Sequence, residues 1–290
     1  MTLPDHKYLL NRVDLIPFIV EKLGSLPIDY SEKMTLLRKS KKSKKSVAAA
    51  GVLLLLHMKI SPAISHQQNH EFTLLLIKRS SKVSQPGDLS CPGGMLNHMI
   101  DPLLRPIITG RIFPVLKGRS RDLAQRRDQD TFRLLTLFLT NAIRETWEEM
   151  NLCPFKIQCL GPLPTYSLHL FKRTIFPLVG FVDEEWTFRP NTEVERLVEI
   201  PLNTFFQEDN YGCYEIEYTD PLSRNSRTSQ KFPCLIYRDN QGREDILWGA
   251  TFFIIMNFLN VVFDFKIPEL HAKRVIKKTL YPDYMTGRHA

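Results

Sequence analysis

Apolar residues recur at three- and four-residue steps in two stretches of the chain. Leu9, Leu10, Val13, Leu15, Ile16, Ile19, Val20 and Leu23 form a broad stripe. They predict a helix within the first 30 residues, broken at Leu26-Pro27. Leu134, Leu135, Phe138, Leu139, Ala142 and Ile143 predict a second helix over Asp130–Asn151, with Asp130 as its N-cap. Trp248–Phe265 is apolar nearly all round and predicts a third, buried helix. Two unbroken apolar runs, Val47–Lys59 and Glu71–Arg79, read as strands. Strands apolar on both faces belong to a sheet covered on both sides, which predicts an α/β fold. Shorter strands are expected at Ile157–Leu160, Phe176–Val182, Tyr214–Tyr218 and Cys234–Tyr237. Glu193–Val198 reads as a short helix before Ile200-Pro201-Leu202.

Polar punctuation separates these elements. Arg38–Ser46 is basic and Ser-spaced without an apolar face, and reads as an exposed linker. Gln85–Gly94 is rich in turn residues. The stretch that follows contains Pro102, Pro106, Gly110, Pro114 and Gly118, too many breaks for one long helix. No internal repeat is present.

Composition narrows the class. The 290 residues are 43% hydrophobic, 24% charged and 10% aromatic, which excludes a disordered, collagen-like or disulfide-packed chain. The net charge of +8 is localised. Arg38–Lys45 carries +6 and Arg105–Arg127 another +6, leaving −4 for the remainder. That distribution suggests an anionic small ligand more than a nucleic-acid partner, since the Lys-rich run has no interleaved aromatics. Cys91, Cys153, Cys159, Cys213 and Cys234 form no CxxC and read as packing residues of a reducing, cytoplasmic setting. Ile246–Phe263 reaches the length of a membrane span, but Gly249, Thr251, Asn257 and Asn260 favour a buried core helix. His57, His98 and His169 have no metal-site spacing.

Chemistry concentrates in Arg144-Glu145-Thr146-Trp147-Glu148-Glu149. On a helix Glu145, Glu148 and Glu149 share one arc of about 100° and repel one another. A divalent cation would relieve the repulsion, and Mg²⁺ favours such oxygen ligands together with substrate phosphate. Arg144 lies four residues before Glu148 and can hold that carboxylate. Taken alone, the cluster more often marks a solvated acidic helix end.

Pro92-Gly93-Gly94 followed by Arg-Glu-x-x-Glu-Glu resembles the signature of the Nudix hydrolases, G-x5-E-x7-R-E-U-x-E-E-x-G-U, with U a bulky apolar residue. Gly94 matches the opening Gly, Arg144-Glu145 the R-E, Glu148-Glu149 the E-E and Leu152 the last U. Three departures stand out. Between Gly94 and Arg144 lie 49 residues, about 36 more than the pattern has, so a basic insertion at about 97–130 splits the box. The first box glutamate has no sure match, Ile100 and Asp101 standing nearest. Thr146 replaces a bulky residue, with Trp147 beside it, and Asn151 replaces the late Gly. Leu75–Ser80, Gly87, Pro92–Gly94, Glu193-Val194, Glu199–Leu202 and Leu247–Thr251 further resemble the coenzyme A pyrophosphatase-like group, although Gln85 stands where that group commonly has His.

The resemblance implies an α/β/α sandwich with a mixed β-sheet, an N-terminal helix and linker over 1–45, and a hydrolase domain over 46–290 carrying the insertion. It implies a pyrophosphohydrolase that uses Mg²⁺ or Mn²⁺ on a nucleoside diphosphate derivative, coenzyme A or an acyl-CoA among the candidates. The implied metal ligands are Glu145, Glu148 and Glu149. Arg144, Glu145, Glu148 and Glu193 would serve catalysis, and Arg79, Gly93 and Gly94 the phosphorylated small-molecule substrate. The base is variable in the family. A homodimer is compatible with it, a membrane span is not expected, and nucleic acid is disfavoured. A Nudix-fold binding module without turnover remains the alternative, and the insertion reads as a solvated loop more readily than as a phosphate-binding flap.

Overall fold

The computed structural model describes residues 14–42, 48–61, 69–110, 115–168, 173–219, 227–269, 274–280 and 284. Two sheets organise it. The larger is mixed. Its spine runs β3 (Leu89–Ser90), β2 (Asn69–Arg79), β1 (Ala48–Ser61), β7 (Arg173–Val182) and β5 (Gln158–Pro162). β4 (Gly93–Met95) pairs with β1, β6 (Tyr166–Leu168) with β7, and β8 (Val194–Pro201) with β2. β1 is antiparallel to β2 and parallel to β7. The smaller sheet has the order β11 (Glu244–Leu247), β10 (Arg227–Arg238), β9 (Tyr211–Thr219) and β12 (Val275–Leu280).

The unbroken apolar runs acquire their meaning from the layers. Successive strand residues point to opposite faces. On β1 and β2, Leu54, Leu56, Leu74 and Leu76 enter one core, beside α1 (Leu15–Ser25) and α6 (Gly249–Phe263). Leu53, Leu55, Leu75 and Ile77 enter the other, beside α2 (Tyr30–Lys42) and α5 (Gln129–Met150). The expected α/β sandwich with a mixed sheet is therefore observed. Aromatic packing fixes the second core. Phe138 of α5 stacks on Phe176 of β7 at 3.7 Å, and Tyr30 meets Phe176 edge-on while its hydroxyl donates to the Pro177 carbonyl at 2.7 Å. No described helix is long and apolar enough to cross a membrane, and α6 is a core helix.

Several local expectations are corrected. Glu193–Val198 is not a helix. Val194, Val198 and Ile200 turn inward from β8, and the pairing with β2 overrides the helical reading. The N-cap of α5 is Asp128, whose carboxylate accepts from Thr131 N at 2.9 Å, while Asp130 falls in the first turn. The basic run is helical through Lys42, and residues 43–46 lie outside the described set. The insertion forms two helices, α3 (Ile100–Thr109) and α4 (Gly118–Gln125). Part of its charge is spent on the fold: Arg119 pairs with Glu21, and Arg127 donates to the carbonyls of Leu23 and Gly24 at the end of α1. β12 had no signal in the apolar pattern.

One contact seats α5 on the sheet. Gly51 of β1 donates its N–H to Asn141 Oδ1 at 2.7 Å, and Asn141 Nδ2 donates to the Met95 carbonyl of β4 at 3.1 Å. A Cβ at Gly51 would lie 2.6 Å from Asn141 Oδ1 and 2.8 Å from the Phe138 carbonyl. Gly51→Ala should therefore push the helix off the sheet and cost about 1–3 kcal/mol. Urea unfolding of the variant against wild type measures this, and an unchanged midpoint would refute the close contact.

Candidate active site

The carboxylate-bearing end of α5 is set by its caps. Asn151 ends the helix in the left-handed conformation, φ 54°, with its N–H on the Trp147 carbonyl at 2.9 Å. Asn tolerates that conformation next best after Gly, which explains its presence there. Thr146 is fully buried and donates to the Ala142 carbonyl at 2.7 Å. Trp147 is 54% exposed, so it does not take over the packing of a bulky residue at 146.

Glu145 and Glu149 meet the glycine turn. Gly93 N–H donates to Glu149 Oε2 at 2.9 Å. A Cβ on Gly94 would lie 2.5–2.7 Å from the Glu145 carboxylate, and one on Gly93 would strike Gly51 O at 2.3 Å. Gly93 also has φ 146°, a conformation open to glycine. Two successive glycines are thus required by contact with β1 and with a carboxylate. Burial pushes the Glu149 carboxyl up to about 8, against the pull of the Gly93 N–H, and the charges of Glu145 and Glu193 raise it further. Burial likewise raises Glu145, against the pull of Arg144.

Arg144 organises the acids around it. It donates to Asp101 Oδ1 at 2.7 Å, to Glu145 Oε1 at 2.8 Å and to both oxygens of Glu148 at 3.1 and 3.2 Å. Burial works against its charge, but the hydrogen bonds from Asp101 and Glu148 outweigh this and hold it firmly protonated. Asp101 is fully buried in the first turn of α3 and also accepts from Asn97 N at 2.7 Å. The acid left unmatched in the box region is therefore placed against the box arginine by an insertion helix. Glu148 is half exposed, and Glu193 is exposed just before β8. Among the described residues, no three His, Cys, Asp or Glu side chains converge into a metal-holding group in this conformation, because Glu148 turns to Arg144.

Beside the glycine turn opens a cavity of about 270 Å³ between the two sheets. Arg79, Gly93 and Gly94 all line it. Trp248, Gly249, Ala250 and Thr251 line it from the start of α6, far along the chain from β1. No lining residue comes from 97–130. Two residues carried no sequence signal. Arg173 opens β7, and Asp88 accepts from Trp248 Nε1 at 3.3 Å, from Lys278 Nζ at 3.4 Å and from the Tyr284 hydroxyl. A lone Arg at a strand start and a lone Asp in a turn are ordinary, so only the tertiary structure marks them. Cys91, which also lines the cavity, is buried and its thiol is pushed up to about 12, in keeping with a packing role. His169 lies outside the described residues.

No family model matches the chain. Among solved structures it resembles, at TM-scores too low to support an argument, a C. elegans Ap4A hydrolase binary complex (14% identity, 54% of this chain, 82% of that one, TM-score 0.32). The Nudix domain of Shewanella oneidensis NrtR in complex with ADP ribose compares similarly (13%, 59% and 84%, TM-score 0.32). The sequence relative is more informative. A Pectobacterium atrosepticum protein, described as the uncharacterized Nudix hydrolase NudL, is 30% identical over 149 residues, 49% of this chain and 70% of that protein. That identity over that share of a relative settles what the glycine turn and the carboxylate helix suggested: the chain belongs to the Nudix hydrolases, enzymes acting on nucleoside diphosphate derivatives.

Proposed function

We propose that the chain is a divalent-metal-dependent hydrolase of the P–O–P bridge in a nucleoside diphosphate derivative, with coenzyme A or an acyl-CoA as the leading substrate candidates. The observation that carries this reading is the packing of the Glu145 and Glu149 carboxylates directly under Gly93-Gly94, at the edge of a cavity. The coenzyme A candidate draws support from convergence. Arg79, Gly94 and Trp248–Thr251, which carry the likeness to that group, line one cavity from distant parts of the chain. Residues 46–290 are taken as the hydrolase domain, with α1 and α2 covering its sheet.

The donor set fits a hard cation such as Mg²⁺ or Mn²⁺, because it consists of carboxylate oxygens on one helix arc. Glu145 and Glu149 would hold the ion, joined by Glu148 once it swings from Arg144 through its exposed rim. When bound, such a cation supplies charge neutralisation at the diphosphate and lowers the pKa of a water. The chain's own groups then divide the work. The glycine turn admits a phosphate close to the backbone. Arg144 orients Glu145 and Glu148, and is a positioning residue rather than a proton carrier. Glu193, exposed and near enough to raise Glu149, accepts the proton of the attacking water. The water oxygen bonds to one phosphorus, the bridging P–O bond breaks, and two phosphate monoesters leave.

Incubation with Mg²⁺ or Mn²⁺ and a panel of coenzyme A, ADP-ribose, NADH and dinucleoside polyphosphates tests the reading. Coenzyme A should be cleaved fastest, and absence of turnover on every compound would sink it. Glu193→Gln should lower kcat about 10²–10⁴-fold. Glu148→Gln should also lower kcat strongly, and unchanged activity would remove Glu148 from the ligand set.

A second prediction follows from Glu149, whose folded value of about 8 lies above its ordinary 4.5. The native state then binds more protons than the unfolded state across that window, so metal-free stability falls as pH rises through it. Denaturant unfolding in EDTA at about pH 5 and about pH 8.5 should show this loss, and Glu149→Gln should shrink it. Mn²⁺ binding should tighten with pH over the same range and release a proton, seen by calorimetry in buffers of different ionisation enthalpy. An affinity indifferent to pH would exclude Glu149 as a ligand.

A further inference from the structure

The cavity contains two arginines that the proton-transfer scheme does not use. Arg79 ends β2 where its pairing with β8 shifts register, and Arg173 begins β7 opposite Leu168 of β6. Both side chains line the cavity next to Gly93-Gly94. While Arg127 is met by two backbone carbonyls, several partly buried cations of this fold sit against acids, Lys78 and Arg196 sharing Asp245 and Arg144 holding three carboxylates. Arg79 and Arg173 do not. Arg79 donates to Ser84 O at 2.8 Å and weakly to Ser84 Oγ. Among the described residues Arg173 has no acidic partner, and its nearest charged influence is the like charge of Arg79. Burial and that repulsion both work against its charge. The carboxylate lining the cavity, Asp88, is already taken by Trp248, Lys278 and Tyr284. Two neighbouring guanidiniums without an ion-pair partner among the described residues, beside the glycine turn, make this part of the cavity attractive to an anion. The remaining wall is apolar and aromatic, with Tyr166 stacked near-parallel on Phe253 at 6.0 Å, and Trp248 against Phe232 at 5.8 Å.

We propose that Arg173 joins Arg79 in a clamp for the diphosphate of the substrate, beside the glycine turn, while the organic group attached to it lies along the aromatic wall. This deepens the hydrolase reading and rests on it for the identity of the anion. Arg79 and Arg173 carry the positive charge themselves, so the clamp engages a diphosphate without any divalent cation. Two positive charges select a diphosphate over a monophosphate, and the aromatic wall selects an organic diphosphate over inorganic pyrophosphate.

The test is ADP binding by calorimetry in EDTA, with AMP and adenosine as comparisons. Wild type should bind ADP at least tenfold more tightly than AMP, and adenosine more weakly still. Arg173→Gln and Arg79→Gln should each weaken ADP at least tenfold, leave adenosine unchanged, and flatten the dependence of affinity on salt. Arg173→Lys should retain most of the ADP affinity. Should Arg173→Gln fail to fold, phenylglyoxal labelling of wild type with mass spectrometry replaces it, and ADP should protect Arg173 from modification. Unchanged ADP affinity in folded Arg173→Gln, or labelling of Arg173 indifferent to ADP, would overturn the clamp. Arg173-dependent ADP binding in a protein that hydrolyses nothing on the substrate panel would keep the clamp and reject the hydrolase reading. Turnover with a KM untouched by Arg173→Gln would do the reverse.

Discussion

The close approach of α5 to the β1–β4 edge is the constraint on which the site depends. Helix and sheet ordinarily keep a side-chain layer between them. Here Gly51, Gly93 and Gly94 remove that layer, and Asn141 replaces it with hydrogen bonds to two strands. The approach has two consequences. It lets the backbone N–H of Gly93 reach a glutamate of the helix, and it leaves that glutamate too deeply buried to ionise easily. An acid in this position is costly for the apo fold and well prepared for a cation, since the cation replaces the lost hydration. Stability and chemistry meet at the same seam.

Arg144 manages the remaining charge. Three carboxylates around one guanidinium would leave a net negative cluster, and the fully buried Asp101 is the member with no route to solvent. Its placement by α3 explains what an insertion of about 36 residues inside a compact motif does. The insertion docks on the carboxylate-bearing helix α5 through Asp101 and on α1 through Arg119 of α4 and Arg127 just after it. The basic excess, which reads in sequence as a solvated loop more readily than as a phosphate-binding flap, is thus structural for these two residues.

The large-scale fold was legible because its signals are redundant along the chain. Leu53–Leu56 and Leu74–Ile77 demand two covered faces whatever the details, and α5 and α6 follow from long periodic runs. What was misread depended on partners far away in sequence. Val194–Ile200 has a period compatible with either element, and only the waiting edge of β2 decides it. Asp128 and Asp130 both suit a cap, and the choice rests on backbone angles. At the site, Glu145, Glu148 and Glu149 stood out because helix spacing puts them on one arc and their Arg-Glu-x-x-Glu-Glu run follows a Gly-Gly turn. Arg173 did not, because a single arginine acquires meaning only when β1, β6 and β7 bring it beside Arg79.

Charge is then divided around the glycine turn. Glu145 and Glu149 lie against it and Arg79 and Arg173 line the cavity beside it; among the described residues no ion pair joins the two sets, although Arg79 is near enough to pull the Glu149 carboxyl down. A direct ion pair would be the cheaper arrangement for the free protein, and the fold forgoes it. A diphosphate carries the charge that the arginine pair lacks, and a cation the charge that the glutamate pair lacks. With both in place, each charged group would face an opposite charge, whereas removing either would leave like charges facing one another across a low-dielectric gap. Such an arrangement favours the complete complex over its parts, which is the property a hydrolase needs if its water is to attack only a correctly seated diphosphate.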